Sequence, residues 1–171
     1  MMSEEPLLRT GEDFTDIYVA HIDTVYRIAL MILKNPAEAE DATQAAFLQL
    51  MTAGKLFEDH EHVKAWLIVT VQNCCRNMLK SWWKRKRTDL EAIPEAAAPP
   101  ASDSKEDEIY SAICALDEKY RLPVYLYYYE GYKTAEIAGL LDTHDATIRT
   151  RLRTARKKLR LFLEEDGYVL E

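Results

Sequence analysis

Residues 134–163 read TAEIAGLLDTHDATIRTRLRTARKKLRLFL, and this stretch decides the fold. Ala135, Ile137, Ala138, Leu140 and Leu141 supply small and aliphatic packing for a short helix over about 134–141. Asp142-Thr143-His144-Asp145 then reads as a tight turn, and a longer helix runs over about 146–163. Short helix, tight turn and longer helix make the helix-turn-helix pattern. In the longer helix Ile148, Leu152, Ala155, Leu159 and Phe162 keep helical spacing, so one stripe can pack. The stretch from Arg149 to Arg160 carries seven cations and no acid. A solvated face ordinarily mixes signs, because like charges four apart each cost a few tenths of a kcal/mol. One sign held along the whole helix makes physical sense against a polyanion, and DNA is the expected partner. The second helix of such a pair enters the major groove with its early residues toward the base edges. That nominates Thr147, Arg149, Thr150, Arg153 and Thr154 as the groove-facing set, arginine for guanine and threonine for a thymine methyl or a phosphate. Arg156, Lys157 and Lys158 are expected nearer the DNA backbone, adding affinity without sequence information.

Upstream of this unit the chain is also helical by pattern. Ser104 is placed to cap a helix through about 116, and Asp117 to cap another through about 130 that Gly131 breaks. Further back, Phe14, Ile17, Tyr18, His21, Ile22, Val25, Ala29, Ile32 and Leu33 recur at three- and four-residue steps. Asn35-Pro36 with Glu38 starts a second helix, which stops at Gly54 in an expected left-handed cap. A third stripe, from Val63 through Trp66, Leu67, Thr70, Val71, Cys74 and Met78 to Trp82, ends in Lys84-Arg85-Lys86-Arg87. No stretch alternates with period two, so the expected class is all-α.

Charge supplies the domain organisation. The net charge of −7 is unevenly spread: residues 1–87 carry −1, residues 88–108 carry −6, and residues 109–171 balance. The stretch TDLEAIPEAAAPPASDSK, with Pro94, Pro99 and Pro100, cannot bury a core and reads as a flexible acidic linker. Two small helical domains, 1–87 and 108–171, joined by a linker at 88–107, are therefore expected.

Two sets of residues resemble a known family. The run Tyr127-Tyr128-Tyr129-Glu130-Gly131-Tyr132, then Ala135-Glu136-Ile137-Ala138, Thr147-Ile148-Arg149-Thr150-Arg151-Leu152 and Ala155-Arg156-Lys157-Lys158-Leu159 resemble region four of the extracytoplasmic-function (ECF) sigma factors. Independently, Ala39-Glu40-Asp41 with Gln44 and Phe47, and Ala65-Trp66-Leu67 with Asn73 and the basic tail, are similar to region two. The resemblance implies a subunit that binds core RNA polymerase, directs it to promoters and takes part in melting them. Region four would read the upstream promoter element; region two would read and melt the downstream one. It implies that Asp41 and Gln44 contact the polymerase and that Asn73, Lys80, Lys84, Arg85 and Arg87 line the third helix toward promoter DNA. A partner anti-sigma factor is expected from the family alone. The chain departs from the pattern at Ala45, Asn77, Lys80, Thr143 and Thr154, and at Asp142, which stands where the turn usually has glycine.

Two rival classes remain at this stage. A conventional helix-turn-helix regulator would bind DNA tightly without polymerase, and a helical adaptor would bind only proteins. The wholly cationic helix argues against the second. An enzyme is not expected, since no nucleophile stands with a base and no glycine-rich phosphate loop is present. No cofactor is expected either. His60 and His62 stand two apart and cannot share a helical face, and Cys74, Cys75 and Cys114 have no CxxC spacing, so no metal site is expected. The longest apolar run, 28–33, is far short of the roughly 20 residues that span a bilayer. With no basic leader visible, membrane insertion is not expected and the chain reads as cytoplasmic. Trp83, beside the basic run, is a candidate for stacking on an unpaired base, whereas Trp82 fits the core stripe.

Overall fold

A computed structural model describes residues 11–86 and 105–165 of the chain. Arg87, the linker stretch 88–104 and the expected Ser104 cap lie outside the described residues. Among those described, all regular structure is helical: α1 (Gly11–Leu33), α2 (Pro36–Thr52), α3 (His60–Lys86), α4 (Lys105–Cys114), α5 (Glu118–Tyr128), α6 (Thr134–Leu140) and α7 (Asp145–Glu165). The chain divides into two compact units, Met1–Ala97 and Ala98–Glu171.

In the first unit α1, α2 and α3 each pack on the other two. Ile17, Val25, Ile28 and Met31 of α1, Phe47 and Leu50 of α2, and Val63, Leu67, Ile68 and Val71 of α3 are buried there. Each such side chain contributes about 1.5–3 kcal/mol of transfer free energy, which is what holds three otherwise marginal helices together. The turn chemistry works as its residues dictate. Asn35 Oδ1 accepts from the backbone N–H of Ala37 at 3.0 Å and of Glu38 at 3.2 Å. Glu38 thus joins the cap through its backbone N–H. Gly54 follows α2 at φ +58°, the left-handed stop expected of it.

In the second unit α7 packs on α4, α5 and α6, and Ile113, Leu116, Val124, Tyr125, Leu126, Ile137, Ile148 and Leu152 form the core. Asp117 occupies the N-cap position of α5, but its side chain makes no capping bond. Its carboxylate instead accepts from Lys158 Nζ of α7 at 3.0 Å. Buried Arg121 ties α5 to the end of α4 by donating from Nε to the Leu116 carbonyl at 2.6 Å. Pro123 lies buried inside α5 and cannot return a hydrogen bond to the Lys119 carbonyl, a loss the surrounding core offsets. In the turn between α6 and α7, Asp142 adopts φ +51°. A side chain therefore sits in the left-handed conformation that glycine adopts freely.

Candidate nucleic-acid interface

Burial sorts the cations of α7 by face. Ile148, Leu152 and Ala155 are buried against the unit, and Leu159 is half-buried. At 3.6 residues per turn, Thr150, Arg153 and Lys157 project most directly away from that stripe. Arg149, Arg156 and Arg160 stand on one flank of them, and all six are exposed. Thr147, Arg151, Thr154 and Lys158 occupy the other flank and are half-buried. The groove-facing set read from sequence therefore divides. Arg149, Thr150 and Arg153 lie together on the outward surface, while Thr147 and Thr154 lie at its opposite edge.

The polar residues of α7 differ in what they touch. Arg149 is ion-paired to Asp145 one turn earlier. The Asp145 carboxyl is held below the usual carboxylate range, first by a hydrogen bond from the Thr134 hydroxyl and further by the Arg149 guanidinium. The Thr150 hydroxyl donates to the Ala146 carbonyl at 3.0 Å, leaving its methyl group and an oxygen lone pair outward. Arg156 Nε donates to the Tyr128 hydroxyl oxygen of α5 at 2.7 Å, which favours the charged guanidinium further. Lys158 departs from its expected place near the DNA backbone. Its ammonium is turned toward α5, where it bonds Asp117 and lies 5.0 Å from the centroid of the Tyr120 ring. This pair holds the Asp117 carboxyl below its usual range. Glu136 accepts the backbone N–H of Lys133 at 2.8 Å and so caps α6.

The first unit presents two further surfaces. On α3, Asn73, Lys80, Lys84 and Arg85 are exposed, and exposed Arg76 lies between Asn73 and Lys80, a residue the motif reading passed over. At the end of that helix Trp82 and Trp83 meet edge to face at 4.9 Å, with Lys86 Nζ 4.7 and 5.1 Å from the two ring centroids. Trp82 is half-buried and Trp83 is exposed. On α2, Asp41 and Gln44 are exposed. Leu48 and Met51 continue the same stripe and are 60% and 61% exposed, an apolar extension that the polar residues alone did not announce. Its signal was available: the buried positions Ala39, Ala42, Thr43, Ala46, Phe47 and Leu50 leave Leu48 and Met51 on the outer face.

Among the described residues no group of three or more His, Cys, Asp or Glu could hold a metal ion. No described helix is long and apolar enough to cross a membrane. Cys74 and Cys75 are buried, and Cys114 is half-buried. Burial raises the Cys74 thiol and pushes Cys75 up to about 12, which disfavours the reactive thiolate form of both.

Residues 17–85 match the family model for Sigma-70 region 2, and residues 106–159 match that for Sigma-70, region 4. The ECF RNA polymerase sigma factor SigL of Mycobacterium tuberculosis is 29% identical over 157 residues, covering 88% of this chain and 89% of that one. The chain belongs to the ECF sigma factors. The RNA polymerase sigma factor SigV of Bacillus subtilis is 24% identical over 146 residues, covering 85% of this ECF sigma factor and 88% of the relative. Two solved structures share the fold. The sigma factor RpoE of Bartonella quintana, in complex with the anti-sigma factor NepR, has a TM-score of 0.70 at 22% identity, over 90% of this chain and 98% of that one. CnrH, in complex with the cytosolic domain of CnrY, has a TM-score of 0.62 at 21% identity, over 92% of both chains. In this sigma factor the α2 and α3 surfaces fall within the matched region 2, and the outward face of α7 falls within region 4.

Proposed function

We propose that this sigma factor binds core RNA polymerase, carries it to promoters and takes part in opening them. Its role is regulatory and not catalytic, and it works in the cytoplasm beside the polymerase. The domains divide the labour, with 1–87 gripping the polymerase and the downstream element, 88–107 serving as the tether, whose last three residues already begin α4, and 108–171 reading the upstream element. On α7, Arg149 and Arg153 read base edges with Thr150, while Arg156 and Lys157 hold phosphates. Thr147 and Thr154 contribute from the groove edge. On α3, Asn73, Lys80, Lys84, Arg85 and Arg87 meet the downstream promoter DNA. Asp41 and Gln44, extended by Leu48 and Met51, form the polymerase contact of α2. An anti-sigma protein is a further partner, since a sigma factor of this fold is solved in complex with the anti-sigma factor NepR. The observation that carries the reading is the cationic outward face of α7, which has no acid from Arg149 to Arg160, is solvated in the free protein and matches DNA in sign.

The test is transcription in vitro from pooled genomic fragments by bacterial core RNA polymerase, with and without the protein. The expected result is discrete, protein-dependent start sites that share two spaced elements. R149E with R153E abolishes recognition of the upstream element and leaves polymerase binding intact, and D41R does the reverse. Protection of a duplex by the protein alone, with the polymerase left inactive, would instead establish a conventional regulator.

A further inference from the structure

The tyrosine run at the end of α5 does more than pack. Tyr125 is fully buried, with its hydroxyl donating to Glu130 Oε1 at 2.8 Å. Tyr128 is 53% exposed, and its partner lies 28 positions away on α7. The Arg156 guanidinium carbon lies 5.6 Å from the Tyr127 ring centroid and 5.9 Å from that of Tyr128. The two rings themselves meet edge to face at 4.9 Å. Paired aromatic faces thus hold a cation that solvent would otherwise leave free to move.

The donor count shows what this arrangement can bind. The bond to Tyr128 uses Nε–H, one of the five guanidinium donors, so Nη donors remain for a ligand even with the Tyr127 hydroxyl close by. The Tyr128 oxygen accepts that bond and keeps its own proton, for which the described residues supply no acceptor. Two donors from two helices, one of them charged, therefore stand side by side on an exposed surface. Two non-bridging oxygens of one phosphodiester match that pattern, the guanidinium edge taking one and the hydroxyl the other. A guanidinium tethered by Nε to α5 cannot extend along α7 toward the groove floor. It meets the strand at the groove edge, where the phosphates are.

We propose that Tyr128 and Arg156 form a two-donor clamp for one phosphate of the DNA backbone, with Tyr128 also positioning the guanidinium. The clamp rests on the reading of α7 as the DNA-facing helix. It makes Tyr128 part of the nucleic-acid interface although it lies outside the helix-turn-helix unit itself. Because a phosphate carries no sequence information, the clamp sets affinity and register and leaves the choice of base to Arg149 and Arg153.

The experiment measures equilibrium binding of the full-length protein, assembled with core polymerase, to a labelled promoter duplex across a salt series. Y128F is expected to weaken binding roughly 3- to 10-fold, the ordinary worth of a hydrogen bond, with the salt slope unchanged because no charge is lost. R156A should lower the slope of log K against log salt by about 0.9, as for one phosphate released. In the R156A background, Y128F should cost less than about twofold, since the two act as one unit. The loss from Y128F should be equal on the promoter and on a duplex with a scrambled upstream element. Y128F binding like wild type, or its loss adding in full to that of R156A, would overturn the clamp. R149E with R153E serves as the control. If that variant binds like wild type, the reading of α7 has failed and the clamp falls with it. Failure of Y128F alone leaves the reading of α7 standing. Far-ultraviolet circular dichroism and a thermal melt check that Y128F keeps the fold.

Discussion

The apolar extension of the α2 stripe separates binding from stability unusually cleanly. Leu48 and Met51 are 60% and 61% exposed, so truncating either removes little that the free fold uses. Surface changes of this kind ordinarily stay within about 0.5 kcal/mol of wild-type stability. If the polymerase covers this face, most of that exposed area leaves water on binding. Full burial of such a side chain is worth about 1.5–3 kcal/mol, and some three-fifths of that is still available, part of which alanine retains. About 1 kcal/mol per residue is thus at stake, and L48A with M51A should lose about 2 kcal/mol, close to a 30-fold weaker affinity for core polymerase. The assay is anisotropy of the labelled protein titrated with core enzyme, beside urea denaturation of the protein alone. Unchanged affinity would remove the apolar half of the stripe from the interface. A fall in stability of about 2 kcal/mol or more would show that these side chains are core residues and refute the geometry.

Arg153 and Lys157 share the outward face of α7 but should fail differently. R153A should cost about 1–3 kcal/mol on the promoter and relax the preference at one base pair, whereas K157A should weaken all sequences alike and lower the salt slope by about 0.9. Competition with single-base promoter variants reads the first, and a salt titration the second. D142G should raise the unfolding free energy by up to about 1 kcal/mol, read by urea denaturation, because it relieves a left-handed side chain. Iodoacetamide at mildly alkaline pH should label Cys114 well before Cys74 and Cys75, and all three only after denaturation, as peptide mass spectrometry would show. The Asp117 carboxyl is depressed in the folded state by Lys158, so its stabilisation is present above the unfolded value of about 3.9 and is lost as pH falls through the lower folded value. The gap in melting temperature between wild type and K158M should therefore be open at neutral pH and close in acid.

Local rules made much of the fold legible. Helical period, Asn35-Pro36, Gly54 and Gly131 act over a few residues, and the bounds of α2, α6 and α7 follow from them. Asp142 was readable in the same way, as a side chain at a position that favours glycine. What the sequence concealed are the contacts that span many residues. Asp117 reads as a cap until Lys158, 41 positions on, offers it a stronger partner. Tyr128 reads as packing until α7 brings Arg156 beside it. The groove-facing set was half legible for a related reason. Cationic composition marks the helix, but only burial against α5 and α6 tells which side of it Thr147 and Thr154 occupy. Leu48 and Met51 were legible only at a second step, because an apolar residue in a helix suggests core until the rest of the core is counted.

The ion pair between Asp145 and Arg149 bears on how varied the promoters of one sigma factor can be. An arginine with no neighbour, facing the wrong base, is left desolvated and unsatisfied, and that penalty enforces the consensus. If Arg149 and Arg153 read bases as proposed, Arg149 has a carboxylate within its own helix to fall back on, and a mismatch opposite it should cost less than one opposite Arg153. Across a set of cognate promoters, the base pair read by Arg149 should drift while the one read by Arg153 stays fixed. A single intrahelical acid would thereby widen the range of genes the polymerase can be sent to, without loosening its grip on any of them.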